Sequence, residues 1–178
     1  MSAISAALVL LGTGCSGVYV LRPVGEKPHA LVAADWEGTW VMDKAVAKVK
    51  VVDAGAGKLQ LAGVEEKDGK PTLVIYTVFI TESGKTLFAS LRNDGQDADT
   101  KPYVWARLRH EPDQVLLWWP DVKRFGELVG AGKLSGKLDG SDVLLDSPSA
   151  EQVTALISGV LGPVFDAECP AVLRRVAR

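Results

Sequence analysis

Cys15 is the residue of this sequence whose type and surroundings most directly suggest chemistry. The small residues Gly12, Thr13 and Gly14 precede it, and an apolar stretch occupies positions 6–11. Small residues let a peptidase hold an extended backbone closely, and an apolar core before them is typical of a secretory signal. A cut directly before the cysteine leaves a thiol that can be acylated. The sequence therefore predicts a signal peptide over 1–14 that ends directly before the thiol of Cys15.

The run Leu11-Gly12-Thr13-Gly14-Cys15 resembles the cleavage region of bacterial lipoproteins. That resemblance implies a thioether-linked diacylglycerol on Cys15, which becomes the mature N-terminus. In enterobacterial members of the family, a residue other than Asp in the next position goes with sorting to the outer membrane, and that position is Ser16 here. Several acyl chains attach a protein stably, whereas one chain binds only marginally. The expected partner is thus a membrane, reached through the lipid, with the body in the periplasm.

Other interpretations of the N-terminus remain open. The apolar stretch continues to Leu21 and approaches the roughly 20 residues that span a bilayer, so it could be an uncleaved anchor. Arg22 and Lys27 follow on its C-terminal side, and the positive-inside tendency would then keep the body in the cytoplasm. Cys15 could also form a disulfide with Cys169 in an oxidising compartment. If Cys15 is acylated instead, Cys169 is expected to be a partly buried small apolar residue.

Composition limits the class of protein. The chain has 178 residues and a net charge of −2, which suits one domain and excludes a large multi-domain enzyme. Because the charge is near neutral and no long Lys/Arg run occurs, binding to nucleic acid is not expected. The two histidines, His29 and His110, belong to no catalytic or zinc motif. We therefore expect no enzyme activity, no metal and no cofactor.

The body of the chain is predicted to be mainly β. Residues 15–34 form the lipidated N-terminus and a linker, and 35–178 form a single β-rich domain. Val46–Val52 and Lys58–Leu61 alternate apolar and polar residues, as half-buried strands do, and Thr72–Ile80 is an unbroken run of strand-forming residues. Further strands are predicted at Gly38–Met42, Thr86–Leu91, Tyr103–His110, Val115–Trp119, Lys133–Leu138 and Val143–Leu145. Eight or nine strands joined by short turns favour an antiparallel meander that is barrel-like.

Two accessory helices interrupt the meander. Pro120 and Asp121 begin the first, and Gly130 is expected to stop it. The second is predicted from Ser149 to about Val160, with a capping box of Ser149 and Gln152. The tail, 169–178, fits either a helical turn or an edge strand.

Trp36-Glu37-Gly38-Thr39-Trp40 resembles the opening Gly-x-Trp of lipocalins. In that family the Trp lies at the closed end of the barrel, under an Arg from a late strand, in a cation–π contact. The resemblance implies that role for Trp40, with Arg107 and Arg109 as candidates for the Arg. The alternative is that Trp40 is an ordinary core residue.

Arg107 and Arg109 share one strand face with Tyr103 and Trp105, because alternate strand residues point the same way. If that face looks into a barrel, it predicts a polar pocket for an anionic ligand; if it looks outward, a solvated stripe. By the same rule, the adjacent Trp118 and Trp119 cannot both enter one core. Three carboxylates in one loop, Asp94, Asp97 and Asp99, lack the order of a calcium loop and are interpreted as solvated.

These observations favour a non-catalytic binding or interaction role at the cell envelope, with a carrier of a small apolar or amphipathic ligand as the alternative. A cavity lined from Trp40, Ile75 and Phe88 would indicate a carrier. A filled barrel with an exposed patch at Trp118 or Trp119 would indicate contact with another envelope protein.

Overall fold

A computed structural model describes residues 16–43, 45–67, 69–95, 101–165 and 170–177. It confirms the mainly β prediction: the chain forms a closed eight-stranded antiparallel barrel with three helices. The predictions on the signal peptide 1–14, on Cys15 and Cys169, and on Asp97 and Asp99 lie outside the described residues. None of the helices in the described ranges is both long and apolar enough to cross a membrane.

The described residues form twelve strands and three helices. The strands are β1 Val18–Val20, β2 Lys27–Pro28, β3 Gly38–Met42, β4 Ala45–Asp53, β5 Lys58–Lys67, β6 Lys70–Ser83, β7 Thr86–Asn93, β8 Tyr103–Glu111, β9 Gln114–Trp118, β10 Gly136–Asp139, β11 Asp142–Leu145 and β12 Ala171–Ala177. The helices are α1 Ala33–Trp36, α2 Val122–Gly130 and α3 Ala150–Ser158.

The barrel is a ring in which β3 to β9 follow one another as antiparallel neighbours and β12 closes the gap. β12 pairs with β3 through Arg175 and Trp40, and with β9 through Leu173 and Val115. From the sequence, this tail was expected to be either a helical turn or an edge strand. It is a strand with neighbours on both sides, so the ring has no open edge there.

A small extension of the sheet begins where β8 changes partner. The second half of β8, from Arg107 to Glu111, pairs with β9, whereas Tyr103 and Val104 pair with β1. β1 continues the sheet to β11 in parallel, and β11 pairs with β10. The segment 16–34, predicted as part of a linker, is therefore packed against the sheet through β1 and β2. Its Val18, Val20 and Val24 are buried.

Two apolar cores lie on opposite sides of the barrel wall. One lies inside the barrel, and the other lies between the outer face of the wall and α2, α3, β1 and β11. The strands shared by both cores are buried on both faces, which explains why β6 is an unbroken apolar run in the sequence. β4 and β5 contact only the inner core and accordingly alternate.

The helix ends follow the predicted signals with one difference. The Asp121 side chain accepts a hydrogen bond from the Arg124 backbone N–H, and Ser149 and Gln152 form the expected capping box. Gly130 is the last residue of α2 rather than a stop beyond it. The four-residue α1 was not predicted; it lies directly before the first barrel strand.

Candidate functional site: the barrel interior

The barrel lumen contains two voids, of about 60 Å³ and about 30 Å³. Only apolar side chains line them. The larger void reaches Trp36, the last residue of α1, and the smaller reaches Met42 and Trp119 toward the other end. The side chains that border both voids are Trp40, Leu61, Leu91, Leu117 and Leu173. An eight-stranded barrel is just wide enough for side chains to fill, so even small voids at its axis indicate incomplete packing.

One end of the lumen is sealed by Trp40 and Arg175. The Arg175 guanidinium carbon lies 4.8 Å from the centroid of the Trp40 ring, and its Nη1 donates to the Ala34 carbonyl at 2.9 Å. Trp40 is 2% exposed, and its Nε1 donates to the Trp36 carbonyl at 2.8 Å. Both carbonyls belong to α1, so this short helix anchors the two side chains that cover the barrel end.

A second aromatic layer covers the same end. The ring of His110 stacks on Trp36 at 4.3 Å between centroids, and its Nε2 lies 3.1 Å from the Asp35 carbonyl. The carboxylate of Glu37 accepts from the Val51 backbone N–H at 3.1 Å, which ties α1 to β4. These contacts make this end of the barrel the closed one.

The opposite end of the lumen carries a polar group. Tyr76 on β6 points inward, is 2% exposed, and its hydroxyl donates to the Glu65 carboxylate at 2.7 Å. Asn93 on β7 is the direct cross-strand partner of Tyr76. Burial first, and then the hydrogen bond to Glu65 and its charge, raise the pKa of Tyr76 far above its ordinary value. The phenol therefore remains a neutral donor held against a carboxylate.

The structure separates the predicted ligand-binding residues into two groups. Trp40 is inside the barrel, whereas Tyr103, Trp105, Arg107 and Arg109 lie on the outer face of β8. Their face therefore does not look into the lumen, because alternation places Ala106 and Leu108 there instead.

On that outer face the four side chains differ in burial and in contacts. Trp105 is fully buried in the second core, and Tyr103 is buried beside it. Arg107 lies over the rings of Trp118 and Phe165, at 4.7 and 5.4 Å, and desolvation lowers its pKa. Arg109 is exposed and pairs with Glu111 at 2.8 Å. Neither Arg is the residue over Trp40; that residue is Arg175.

The two adjacent tryptophans do not enter the same core, as predicted. Trp119 packs against the inner core and borders the smaller void, and Trp118 packs in the outer core. Both are half-buried. The expected lining was partly wrong: Trp40 borders the lumen, but Phe88 lies in the outer core, and Ile75 shares its outward orientation because it alternates with Tyr76.

Sequence reasoning missed Arg175, Glu65 and Tyr76. Glu65 carried a signal, since it continues the inward series Leu59, Leu61, Gly63 with a charged residue. Arg175 carried none, because its register depends on a strand pairing with β3, far away in the chain.

No metal centre accompanies the lumen in the described part of the chain, where no group of three or more His, Cys, Asp or Glu could hold an ion. Asp94, the described member of the acidic loop, accepts from the Thr77 hydroxyl at 2.9 Å.

The chain matches no family model, no curated protein and no solved structure. Its function must therefore be inferred from its own residues.

Proposed function

We propose that this protein is a non-catalytic binding protein, attached to a bacterial cell envelope through lipid on Cys15, whose lipocalin-like barrel takes a small apolar ligand. The observation that carries the binding role is the lumen: it is closed at one end, wholly apolar around its voids, and incompletely filled. An apolar cavity in a protein stays dry and accepts apolar guests.

The size of the voids determines the shape of the ligand. A cavity of about 150 Å³ holds a benzene ring, so the larger void here has room for roughly two carbon atoms at rest. Leu61, Leu91, Leu117 and Leu173 stand beside both voids, and turning their side chains would join them. A narrow aliphatic chain lying along the barrel axis suits such a channel better than a ring system.

Attachment through Cys15 would hold the barrel directly at the lipid surface. Val18 is the first residue of β1, and three residues span at most about 10 Å of extended chain. A ligand-binding body so close to the bilayer suits a ligand that partitions into lipid. Outer-membrane localisation, facing the periplasm, follows the lipoprotein resemblance of the leader.

The competing role, contact with another envelope protein through an exposed tryptophan patch, receives less support. Trp118 and Trp119 are both half-buried, and Arg107 covers the first of them. Neither ring is free to form a large apolar contact surface.

Binding is tested with hexan-1-ol as the probe. Trp40 and Trp119 border the voids, so we expect saturable changes in tryptophan fluorescence and a raised unfolding temperature in the folded protein. Ala89→Leu fills the larger void and should reduce the affinity at least tenfold, while Ala155→Leu on α3, outside the lumen, should not. A wild-type protein that shows no saturable binding would contradict the proposed ligand site.

Attachment is tested separately by metabolic labelling with a radioactive fatty acid and by membrane fractionation. Wild type should carry the label and sediment with membranes, and Cys15→Ala should lose both. Cys169→Ala is the matched control and should retain both. Unchanged labelling and sedimentation of Cys15→Ala would overturn the anchoring proposal.

A further inference from the structure

We propose that the Glu65–Tyr76 pair, at the end of the barrel opposite α1, selects ligands whose polar head donates hydrogen bonds, above all aliphatic amines, and rejects aliphatic carboxylates. The proposal rests on the ligand site proposed above and names the chemical class that the site would take. It follows from the placement of one carboxylate at the rim of an otherwise apolar lumen.

The position of Glu65 is fixed by the register of β5. Leu61 borders both voids, and Gly63 and Glu65 follow it on the same inward face. Tyr76 on β6 is the direct cross-strand partner of Leu61, and its hydroxyl donates a hydrogen bond to the Glu65 carboxylate. The carboxylate is thus held at the end of the lumen farthest from Arg175.

Tyr76 makes the carboxylate a fixed acceptor. One oxygen of Glu65, Oε1, accepts the Tyr76 hydroxyl at 2.7 Å, and within the described part of the chain this carboxylate makes no other hydrogen bond or ion pair. A hydrogen bond from a buried phenol orients the group. The remaining acceptor positions are available to a donor group on a ligand whose chain occupies the voids.

The negative charge of Glu65 would favour the same ligands as its hydrogen bonding does. Glu65 is the charged inward-facing residue next to Tyr76. Lys70 on β6 has the same orientation but is exposed at the end of the β5–β6 hairpin, beyond Thr72, the cross-strand partner of Glu65. Glu82 and Arg175 lie at the end of the barrel near α1. Glu82 is already engaged there by Lys27 and His29. A carboxylate head would meet the like charge of Glu65 beside Tyr76, whereas an ammonium head would form a charge-assisted hydrogen bond with it.

The experiment uses three probes with one tail: hexylamine, hexan-1-ol and hexanoate, titrated into the full-length protein at neutral pH with tryptophan fluorescence as the readout. We expect the amine to bind about tenfold or more tightly than hexanoate, with the alcohol between them. Glu65→Gln should reduce the affinity for the amine about tenfold and raise that for hexanoate, while changing that for the alcohol less than about threefold.

Glu66→Gln is the matched control, because Glu66 is the next residue on β5, is exposed, and points away from the lumen. It should leave all three affinities unchanged. Gln is nearly isosteric with Glu and keeps an acceptor for Tyr76, so Glu65→Gln should remain folded, which its unfolding temperature checks.

The outcomes separate the two proposals. Equal binding of the three probes by wild type, or equal effects of the Glu65 and Glu66 substitutions, would overturn the head-group selection and leave the ligand site standing. Binding of no probe, or binding that Ala89→Leu does not weaken, would overturn the ligand site and the selection that rests on it.

Discussion

Arg175 and Trp40 are direct cross-strand partners, and the guanidinium of the first lies 4.8 Å above the ring of the second. One residue is near the start of the barrel and the other is in its last strand, so their contact joins the two ends of the ring. The same side chain bonds α1 through the Ala34 carbonyl. The strand pairing that closes the barrel as a sheet therefore also places Arg175 over Trp40 at the barrel end.

Replacing Arg175 by Met should lower the free energy of unfolding by about 1–2 kcal/mol, since it removes a partly desolvated cation–π contact and one hydrogen bond to a carbonyl. Urea denaturation measures the loss. Arg174→Met is the control, because Arg174 is exposed and points outward from the same strand. Equal effects of the two substitutions would show that the contact with Trp40 contributes nothing specific.

Gly57 should tolerate no side chain. Its φ is +65°, and an added Cβ would collide with the Ile80 carbonyl oxygen and lie 2.9 Å from that of His29. Gly84 has a similar φ of +58° but open space around it. We expect Gly84→Ala to cost about 1 kcal/mol for the left-handed conformation alone, and Gly57→Ala about 2–4 kcal/mol with the collision added. Thermal unfolding of both variants checks the difference; similar losses would contradict it.

Ser90 should hold the N-terminal segment on the barrel wall. Its hydroxyl is fully buried and accepts from the Val24 backbone N–H at 3.1 Å, while the Val24 carbonyl accepts from the Thr81 hydroxyl. Ser90→Ala leaves a buried N–H without a partner, at a cost of about 1–3 kcal/mol. Hydrogen exchange should show faster exchange of the Val24 amide. Ser141→Ala, in an exposed turn, should leave that amide unchanged, and equal exchange in both variants would argue against the role of Ser90.

Alkaline pH should destabilise the protein through Tyr76. The folded state raises its pKa above the ordinary 10.0, so it holds the proton more tightly than the unfolded chain does. The stability that this provides is complete below pH 10.0 and decreases as the pH rises and the unfolded phenol ionises.

Urea midpoints measured from neutral pH to about pH 11 test this expectation. Tyr76→Phe should flatten the alkaline decline, whatever its effect at neutral pH. Tyr19, whose pKa is raised by burial and then by Asp142, should account for part of the slope that remains. An unchanged slope in Tyr76→Phe would contradict the assignment.

The strands and helix caps could be predicted from the sequence because their signals are local. Alternation marked β4 and β5, an unbroken run marked β6, and Ser149 with Gln152 marked the start of α3. Each of these features depends on residues within a few positions of one another, where side-chain direction follows directly from backbone geometry.

What the sequence by itself determined is that the chain folds as a meander of strands, and that Trp118 and Trp119 cannot both enter one core. Only the tertiary structure decided that β12 closes the ring, that Arg175 rather than Arg107 or Arg109 covers Trp40, and that Tyr103 and Trp105 face away from the lumen. The reason is physical: alternation divides a strand into two faces, but which face is inside depends on the register with strands distant in the chain. In β6, β7 and β8 both faces are apolar because each meets a core, so hydrophobicity alone could not tell the inner face from the outer.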